Sequence, residues 1–335
     1  MTIVDVARHA GVSTASASKV LRDAYGVSDA MRDKVHASMD ALGYRPHRLA
    51  RGMRGKTYTI GMLVSDIENP YFSVLTSGAK DVLQEQGYEL LIAPGGYSAE
   101  TQQAMLDALI DHRMDGLILV APRISAEDLA SAAQQIPLVV VGRELADEAF
   151  DTVRGDESVG SRLVVDHLVE LGHRRIAFVA NDEAFAEVGT PENLRLRGFL
   201  DAVAAHGLEQ DATVIKRPWT IQGGHDVADV LAGTDPRPTA IHAGADVAAV
   251  GLLSELWQRG IDVPAELSIA SSDNSPIASL GPVSLTSVDQ EGLRTGIIAA
   301  GLLLERIAGR TESRHELLAP RLLIRSTTGP SPQGA

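Results

Sequence analysis

Thr2-Ile3-Val4-Asp5-Val6-Ala7-Arg8-His9-Ala10-Gly11-Val12-Ser13-Thr14-Ala15-Ser16-Ala17-Ser18-Lys19-Val20-Leu21 reads as two short helices joined by a glycine turn. Thr2 and Asp5 have the spacing of a capping box with Asp in place of Glu, and Val6, Ala7 and Ala10 follow at helical spacing. Gly11 ends the first helix, because glycine takes a positive φ without steric cost. Ser13 is placed to cap the second, whose apolar positions Ala17, Val20 and Leu21 face the first. A third helix is expected from Ser28 as N-cap through Met31, Val35, Met39 and Leu42 to a stop at Gly43. Together they make a minimal three-helix core within residues 1–45.

The outward positions of the second helix carry Thr14, Ala15, Ser16, Ser18 and Lys19, which include one long cation and no acid. The pattern alone fits either a small helical hairpin with a solvated face or a helix that enters a major groove. In the second reading hydroxyls meet phosphates, Lys19 meets a guanine edge, and the methyls of Thr14 and Ala15 meet thymine. Charge favours that reading. The 335 residues carry −14 overall, yet residues 1–56 hold ten Lys/Arg against five acids, a balance of +5 that leaves −19 for the rest. A basic head on an acidic body offers one face to phosphate and repels DNA elsewhere.

The motif D-V-A-x-x-A-G-V-S-x-A-S-x-S-x-V-L (Asp5 to Leu21), followed by L-G-Y-R-P (Leu42 to Pro46), resembles the lactose/galactose repressor family, and the resemblance extends over nearly the whole chain. It implies a helix-turn-helix DNA-binding domain at 1–45, in which Thr14, Ala15 and Lys19 read bases and Ser13, Ser16 and Ser18 lie near the DNA backbone. Lys19 departs from the family's usual arginine and lacks its bidentate fork, so guanine discrimination there is expected to be weaker. Residues 46–57 read by composition as a flexible basic linker. The resemblance instead implies a hinge that enters the minor groove, with Met53 as the wedge and Arg51 and Arg54 beside it. Gly52 replaces a usual serine and weakens a helix there by up to about 1 kcal/mol, so the hinge is expected to order only on DNA.

From Thr59 onward, short apolar runs alternate with helical stretches: Ile60 to Val64, Leu90 to Ala93, Gly116 to Ala121, Leu138 to Gly142, Arg175 to Ala180, Thr239 to Ala243 and Leu267 to Ser271. Such alternation makes an α/β fold with parallel sheets, and its length suits two lobes with a crevice at the carboxyl ends of the strands. The resemblance implies a periplasmic-binding-protein-like sensor over 58–330, which binds an effector and dimerises. It also implies crossovers between lobes near residues 158 and 288, and a C-terminal segment returning to the first lobe.

Asp66, Asn69, Tyr71 and Phe72 lie in D-I-E-N-P-Y-F after the first strand, similar to the family's effector loop. Aromatic faces beside hydrogen-bonding groups suit a polar ring such as a sugar, while Tyr71 and Phe72 could equally be core residues at a helix start. Arg143, Arg195 in R-L-R-G-F, Trp219 in R-P-W, Asp273 in S-S-D-N and Gln290 in L-T-S-V-D-Q also match family effector positions. Without the motif, Arg195 reads as a helix-surface cation. Two departures stand out: Ala245 where sugar-responsive members usually carry asparagine, and S-S-D-N in place of G-F-D-D.

No cysteine and no clustered histidine ligands are present, so neither metal nor cofactor is expected. No nucleophile elbow, Walker loop or dinucleotide fingerprint supports an enzyme. With no apolar run near the roughly 18 residues of a membrane span and no leader at Met1, a cytoplasmic protein is expected. The expected partners are double-stranded palindromic operator DNA, a second copy of the chain and a small-molecule effector of carbohydrate type. The alternative is control by a protein partner, or no effector at all.

Overall fold

The computed structural model describes residues 1–21, 25–44, 56–181 and 188–332. The chain divides into two compact units, residues 1–59 with 113–115 and residues 60–112 with 116–335.

The first unit begins with α1 (Ile3–Ala10), α2 (Thr14–Leu21) and α3 (Asp29–Ala41). The Asp5 carboxylate accepts from the Thr2 N–H (2.8 Å) and hydroxyl (3.0 Å), which holds its pKa below the usual range. Gly11 closes α1 at φ +64°, in the left-handed region where a side chain is strained. Val6, Ala7 and Ala10 pack on Ala17, Val20, Val35 and Met39, the core read from periodicity. Further along, Asp115 accepts from the Thr57 N–H (2.6 Å) and the Tyr58 N–H (2.8 Å), which fixes the approach to the next strand.

The second unit holds two six-stranded sheets, each layered with helices. Its first lobe comprises β1 (Thr59–Val64), α4 (Pro70–Glu85), β2 (Glu89–Pro94), α5 (Ala99–Asp111), β3 (Gly116–Val120), α6 (Ala126–Ala133), β4 (Leu138–Val141) and β5 (Asp151–Gly155). Next come α7 (Glu157–Glu170), β6 (Ile176–Ala180), α8 (Pro191–Ala205), β7 (Ala212–Lys216), α9 (Ile221–Ala232), β8 (Ala240–Ala243), α10 (Asp246–Gln258), β9 (Ser268–Ser272) and β10 (Thr286–Asp289), which form the second lobe. Then α11 (Gly292–Ile307) and β11 (His315–Leu318) rejoin the first lobe, and β12 (Arg321–Leu323) ends in the second.

The strand orders are β11-β5-β4-β3-β1-β2 and β12-β10-β9-β8-β6-β7. Pairing is parallel from β11 through β5, β4 and β3 to β1, and among β6 to β10, while β12 runs antiparallel to β10. The chain therefore crosses between lobes three times, near residues 156, 290 and 319, rather than twice. The expected return to the first lobe is made by α11 and β11. The last strand departs from that expectation, because β12 and Gly329 are held in the second lobe, the latter by an N–H to the Ser268 hydroxyl (3.0 Å).

Each lobe has its own apolar core, Ile60, Met62, Leu75, Ile118 and Leu303 in the first and Phe178, Phe199, Val227, Leu252 and Ile269 in the second. In the first, α4 and α11 touch backbone to backbone: a Cβ on Gly78 would lie 2.1 Å from the Leu293 carbonyl, and one on Gly296 2.0 Å from that of Leu75. At the start of β5, Asp151 is fully buried and accepts from Arg306 (3.0 Å), Arg310 and the Arg314 N–H (2.8 Å). Burial alone would raise that carboxyl; the donors hold it below its ordinary range.

Candidate functional site

Two surfaces follow from this fold. On α2, Ser13, Thr14, Ala15 and Lys19 are exposed, while Ser16 and Ser18 are half-buried. The Ser13 hydroxyl accepts from the Ser16 N–H (3.0 Å) and lies 2.9 Å from the Ser16 hydroxyl, so both serve the helix start as well as the surface. Arg51, Met53 and Arg54 lie outside the described residues.

The second surface is a cleft between the lobes, at the carboxyl ends of their strands, holding about 670 Å³ of atom-free space. Parallel sheets leave such a crevice where successive strands end and their loops diverge. Asn69, Tyr71, Phe72, Arg195, Trp219, Asp273 and Gln290 all line it. Asn69 caps α4 by accepting from the Tyr71 N–H (3.0 Å), and Pro70 occupies the first helical turn, so the D-I-E-N-P-Y-F loop ends as a rigid corner. Tyr71 and Phe72 meet edge to face with ring centres 5.9 Å apart.

Asp66 and Arg143 are not part of the cleft wall. Asp66 accepts from the Tyr97 hydroxyl (2.9 Å) and the Glu68 N–H (2.8 Å). Arg143 is buried and donates to the carbonyls of Pro122 (3.0 Å) and Ile124 (2.8 Å), fastening the loop that carries Arg123. That loop is also held by Gln102, which accepts from the Arg123 N–H (2.7 Å). Arg123 itself lies over the Tyr97 ring and pairs with Glu192 across the cleft.

The centre of the cleft is built around Arg195, which is buried on α8 and not on a solvated face. Its Nε donates to Glu157 (2.7 Å), and its terminal nitrogens reach the Gly244 carbonyl (2.5 Å), Gln290 Oε1 (3.0 Å) and Asp273 Oδ1 (3.1 Å). The Gln290 amide also donates to Glu157. Arg195 lies 5.1 Å from the Trp219 ring centre, within cation–π range, and the indole N–H is anchored on the Val179 carbonyl (3.0 Å). Burial works against the Arg195 charge, but the Glu157 and Asp273 carboxylates beside it more than offset that cost.

Asp273 stands at φ +116° and Asn274 at +45°, both in the left-handed half of backbone space. Asp246, fully buried behind them, fastens this loop: its carboxylate accepts from Ser271, from the Ser275 N–H (2.7 Å) and hydroxyl (2.9 Å), and from Ser287 (2.6 Å). The first serine of the S-S-D-N departure, Ser271, is therefore a ligand of an internal carboxylate, while the second, Ser272, lies 3.4 Å from His242 Nε2. Burial pushes the Asp273 carboxyl up to about 7. Beside Arg195, His242 packs on Phe178 and is held neutral, its pKa lowered to about 3 chiefly by burial. Ala245 is buried and caps α10 without a side-chain hydrogen bond.

Ser65, Tyr97, Glu157, Asn181 and Glu192 line the cleft and escaped the sequence reading. Glu157 was legible only as an acid in the first turn of a helix; its meeting with Arg195 depends on α7 packing against α8. Among the described residues, no group of three or more His, Asp or Glu is arranged for a metal ion, and no helix is long and apolar enough to cross a membrane.

The model for bacterial regulatory proteins of the lacI family matches residues 2–47, and that for a periplasmic binding protein-like domain matches 165–328. The chain is 32% identical to the HTH-type transcriptional repressor PurR of Vibrio parahaemolyticus, over 97% of this chain and 98% of that protein. It is 31% identical to the ribose operon repressor of Escherichia coli, over 97% and 99%. A solved structure of the lac repressor dimer bound to operator and an anti-inducer superposes with a TM-score of 0.80 at 25% identity, over 98% of this chain and 99% of that one. A LacI family transcriptional regulator from Enterococcus faecium with bound ribose superposes with a TM-score of 0.73 at 29% identity, over 81% and 99%. Matched from its first helix to its last strands by regulators of its own length, this chain belongs to the lacI family of bacterial regulatory proteins.

Proposed function

We propose that the chain is a transcription repressor that binds operator DNA as a homodimer and changes its affinity when a small polar effector occupies the cleft between the lobes. Like the repressors it resembles, it is a regulator and not an enzyme. The observation that carries the reading is the cleft itself, in which Asn69, Glu157, Arg195, Trp219, Asp273 and Gln290 meet from stretches far apart in sequence. A carbohydrate effector is supported by the ribose bound to the Enterococcus faecium relative.

The DNA side of the reading rests on α2, whose exposed residues Thr14, Ala15 and Lys19 include no acid. One helix-turn-helix reads a half-site, so two copies are needed for a palindrome with centres about one helical turn apart. Leu293 and Ile297, on one face of α11, are 49% and 42% exposed, apolar surface of the kind a second copy covers. From the sequence, Met53, Arg51 and Arg54 are proposed to enter the minor groove between the half-sites.

The test begins by selecting the preferred sequence of the full-length protein from random duplexes, followed by anisotropy titrations. A palindrome is expected, and Lys19→Ala weakens binding to it by ~1–3 kcal/mol, roughly 5- to 150-fold. A small molecule that stabilises the sensor then shifts operator affinity by about 1–3 kcal/mol. Selection without a palindrome, or an unaffected Lys19→Ala, overturns the DNA assignment. Operator binding blind to every sugar and purine moves control to a protein partner.

A further inference from the structure

The wall of the cleft carries more hydrogen-bond acceptors and more negative charge than it can satisfy internally. Arg195 is its central cation, and four of its five N–H groups are engaged by Glu157, Gly244, Gln290 and Asp273. Two carboxylates, Glu157 and Asp273, are buried against that one guanidinium, and Asp246 is fully buried behind the Asp273 loop. The nearby basic groups are committed elsewhere. Arg123 pairs with Glu192 (3.3 Å), Arg325 donates to Asn274 (2.6 Å), Arg321 and Arg294 pair with Asp289 (3.1 Å) and Glu291 (2.8 Å), and His242 is neutral.

One atom localises the imbalance. Asp273 is 4% exposed and forms part of the cleft wall, Arg195 occupies its Oδ1, and its buried Oδ2 has no hydrogen-bond partner. A buried acceptor left unmatched is costly, more so when charged, unless something from outside meets it. Burial raises this carboxyl, Arg195 and, more weakly, the Asn69 side chain oppose the rise, and Asp246 and Glu157 add to it; Asn69 brings no charge, so a second cation is what the site lacks. An anionic ligand finds four of the five Arg195 donors already taken and the Glu157 and Asp273 carboxylates beside them. A neutral polyol satisfies the acceptor but not the charge.

We propose that the effector is a polar ring bearing a protonated amine, of the aminosugar class, whose ammonium group docks on Asp273 Oδ2 while its ring lies against the aromatic side chains of the cleft. The proposal rests on the reading of the cleft as the effector site and narrows its ligand.

The experiment is calorimetric titration of the full-length protein with D-glucosamine, D-galactosamine and D-mannosamine, their neutral parents and the 6-phosphates of those parents. At least one amine is expected to bind ten times more tightly than its parent, and the phosphates not at all. Asp273→Asn is expected to abolish that preference. Near pH 6.5 the amine is also expected to displace a proton from wild-type Asp273, read as a binding heat that changes with the ionisation enthalpy of the buffer. A neutral or phosphorylated sugar that binds as tightly as its amine, with heat lost in Trp219→Ala, overturns the proposal while leaving the cleft as the effector site. An amine preference that survives in Asp273→Asn, or binding without proton release, also overturns it. Silence from all nine compounds overturns the proposal, while the effector reading itself falls only if operator binding is also blind to the wider panel of sugars and purines.

Discussion

Arg123, on the loop after β3 in the first lobe, and Glu192, in the first turn of α8 in the second, pair at 3.3 Å across the cleft, with side chains only 10% and 14% exposed. The pair closes a chain that runs from Asp66 to the Tyr97 hydroxyl, and through the Tyr97 ring to Arg123. An ion pair with little solvent around it can hold a cleft shut over a ligand. Glu192→Gln is therefore expected to speed effector dissociation by roughly fivefold, about 1 kcal/mol, with little change in the association rate. Stopped-flow measurement of the two rates checks this; a change confined to association places the pair outside the closing step.

Gly244 sits under the Trp219 indole, where an added Cβ would come within 2.1 Å of the ring, and its carbonyl receives Arg195. Gly244→Ala must displace the tryptophan, the guanidinium or both. Loss of effector binding by at least tenfold, with operator affinity of the unliganded protein unchanged, is the expected outcome. Parallel titrations of ligand and DNA on the same preparation measure both.

The pH dependence of stability follows from Asp273. Its pKa in the fold, about 7, lies above the ordinary aspartate value of 3.8, so the folded state binds the proton more tightly than the unfolded chain does. Its contribution is complete below the unfolded value and declines as pH rises through about 7. Asp273→Asn, which cannot ionise, should melt several degrees above wild type at pH 7.5, reflecting a gain on the order of 1 kcal/mol or more, and converge on it near pH 4. Thermal melts at the two pH values decide; equal melting temperatures at both contradict the assignment.

Much of this was legible in the sequence, and what was missed has a common cause. The head followed from the Gly11 turn and the 3.6-residue spacing of Val6, Ala10, Val20 and Val35, because local geometry alone sets a small helical core. The strands carrying continuous apolar runs were found for the same reason. β10 was not recognised as a strand: Thr286-Ser287-Val288-Asp289 buries polar side chains, the Thr286 hydroxyl meeting that of Thr328 and the Ser287 hydroxyl donating to Asp246. β5 escaped because its buried first residue is an aspartate neutralised by arginines more than 150 positions away. Seven of nine proposed effector residues line the cleft, whereas Asp66 and Arg143 support its loops. Spacing in sequence places a residue on a loop but does not say which side of the loop it occupies.

Asp151 also yields a prediction, since one carboxylate neutralises Arg306 and Arg310 at the edge of the first lobe. Asp151→Asn removes the counter-charge of the mostly buried Arg306 and leaves Arg310 with Glu305 alone. A loss of about 3–5 kcal/mol is expected, with first-lobe melting lowered. Effector affinity at temperatures where the variant remains folded should be unaffected, which separates this anchor from the residues of the cleft.

The three passages of the chain between lobes bear on how such a sensor can diversify. Each lobe is assembled from separate lengths of chain, and β11 and β12, only two residues apart, supply edge strands to different sheets. A hybrid made by joining the front half of one relative to the back half of another therefore mixes both lobes, and each sheet receives foreign strands at its edge. Exchange of one intact lobe needs simultaneous junctions near residues 156, 290 and 319. New ligand specificity in this scaffold is thus reached more readily by point substitution along the loops than by shuffling blocks. The head, contained within a single uninterrupted run before Gly43, is free to be traded whole.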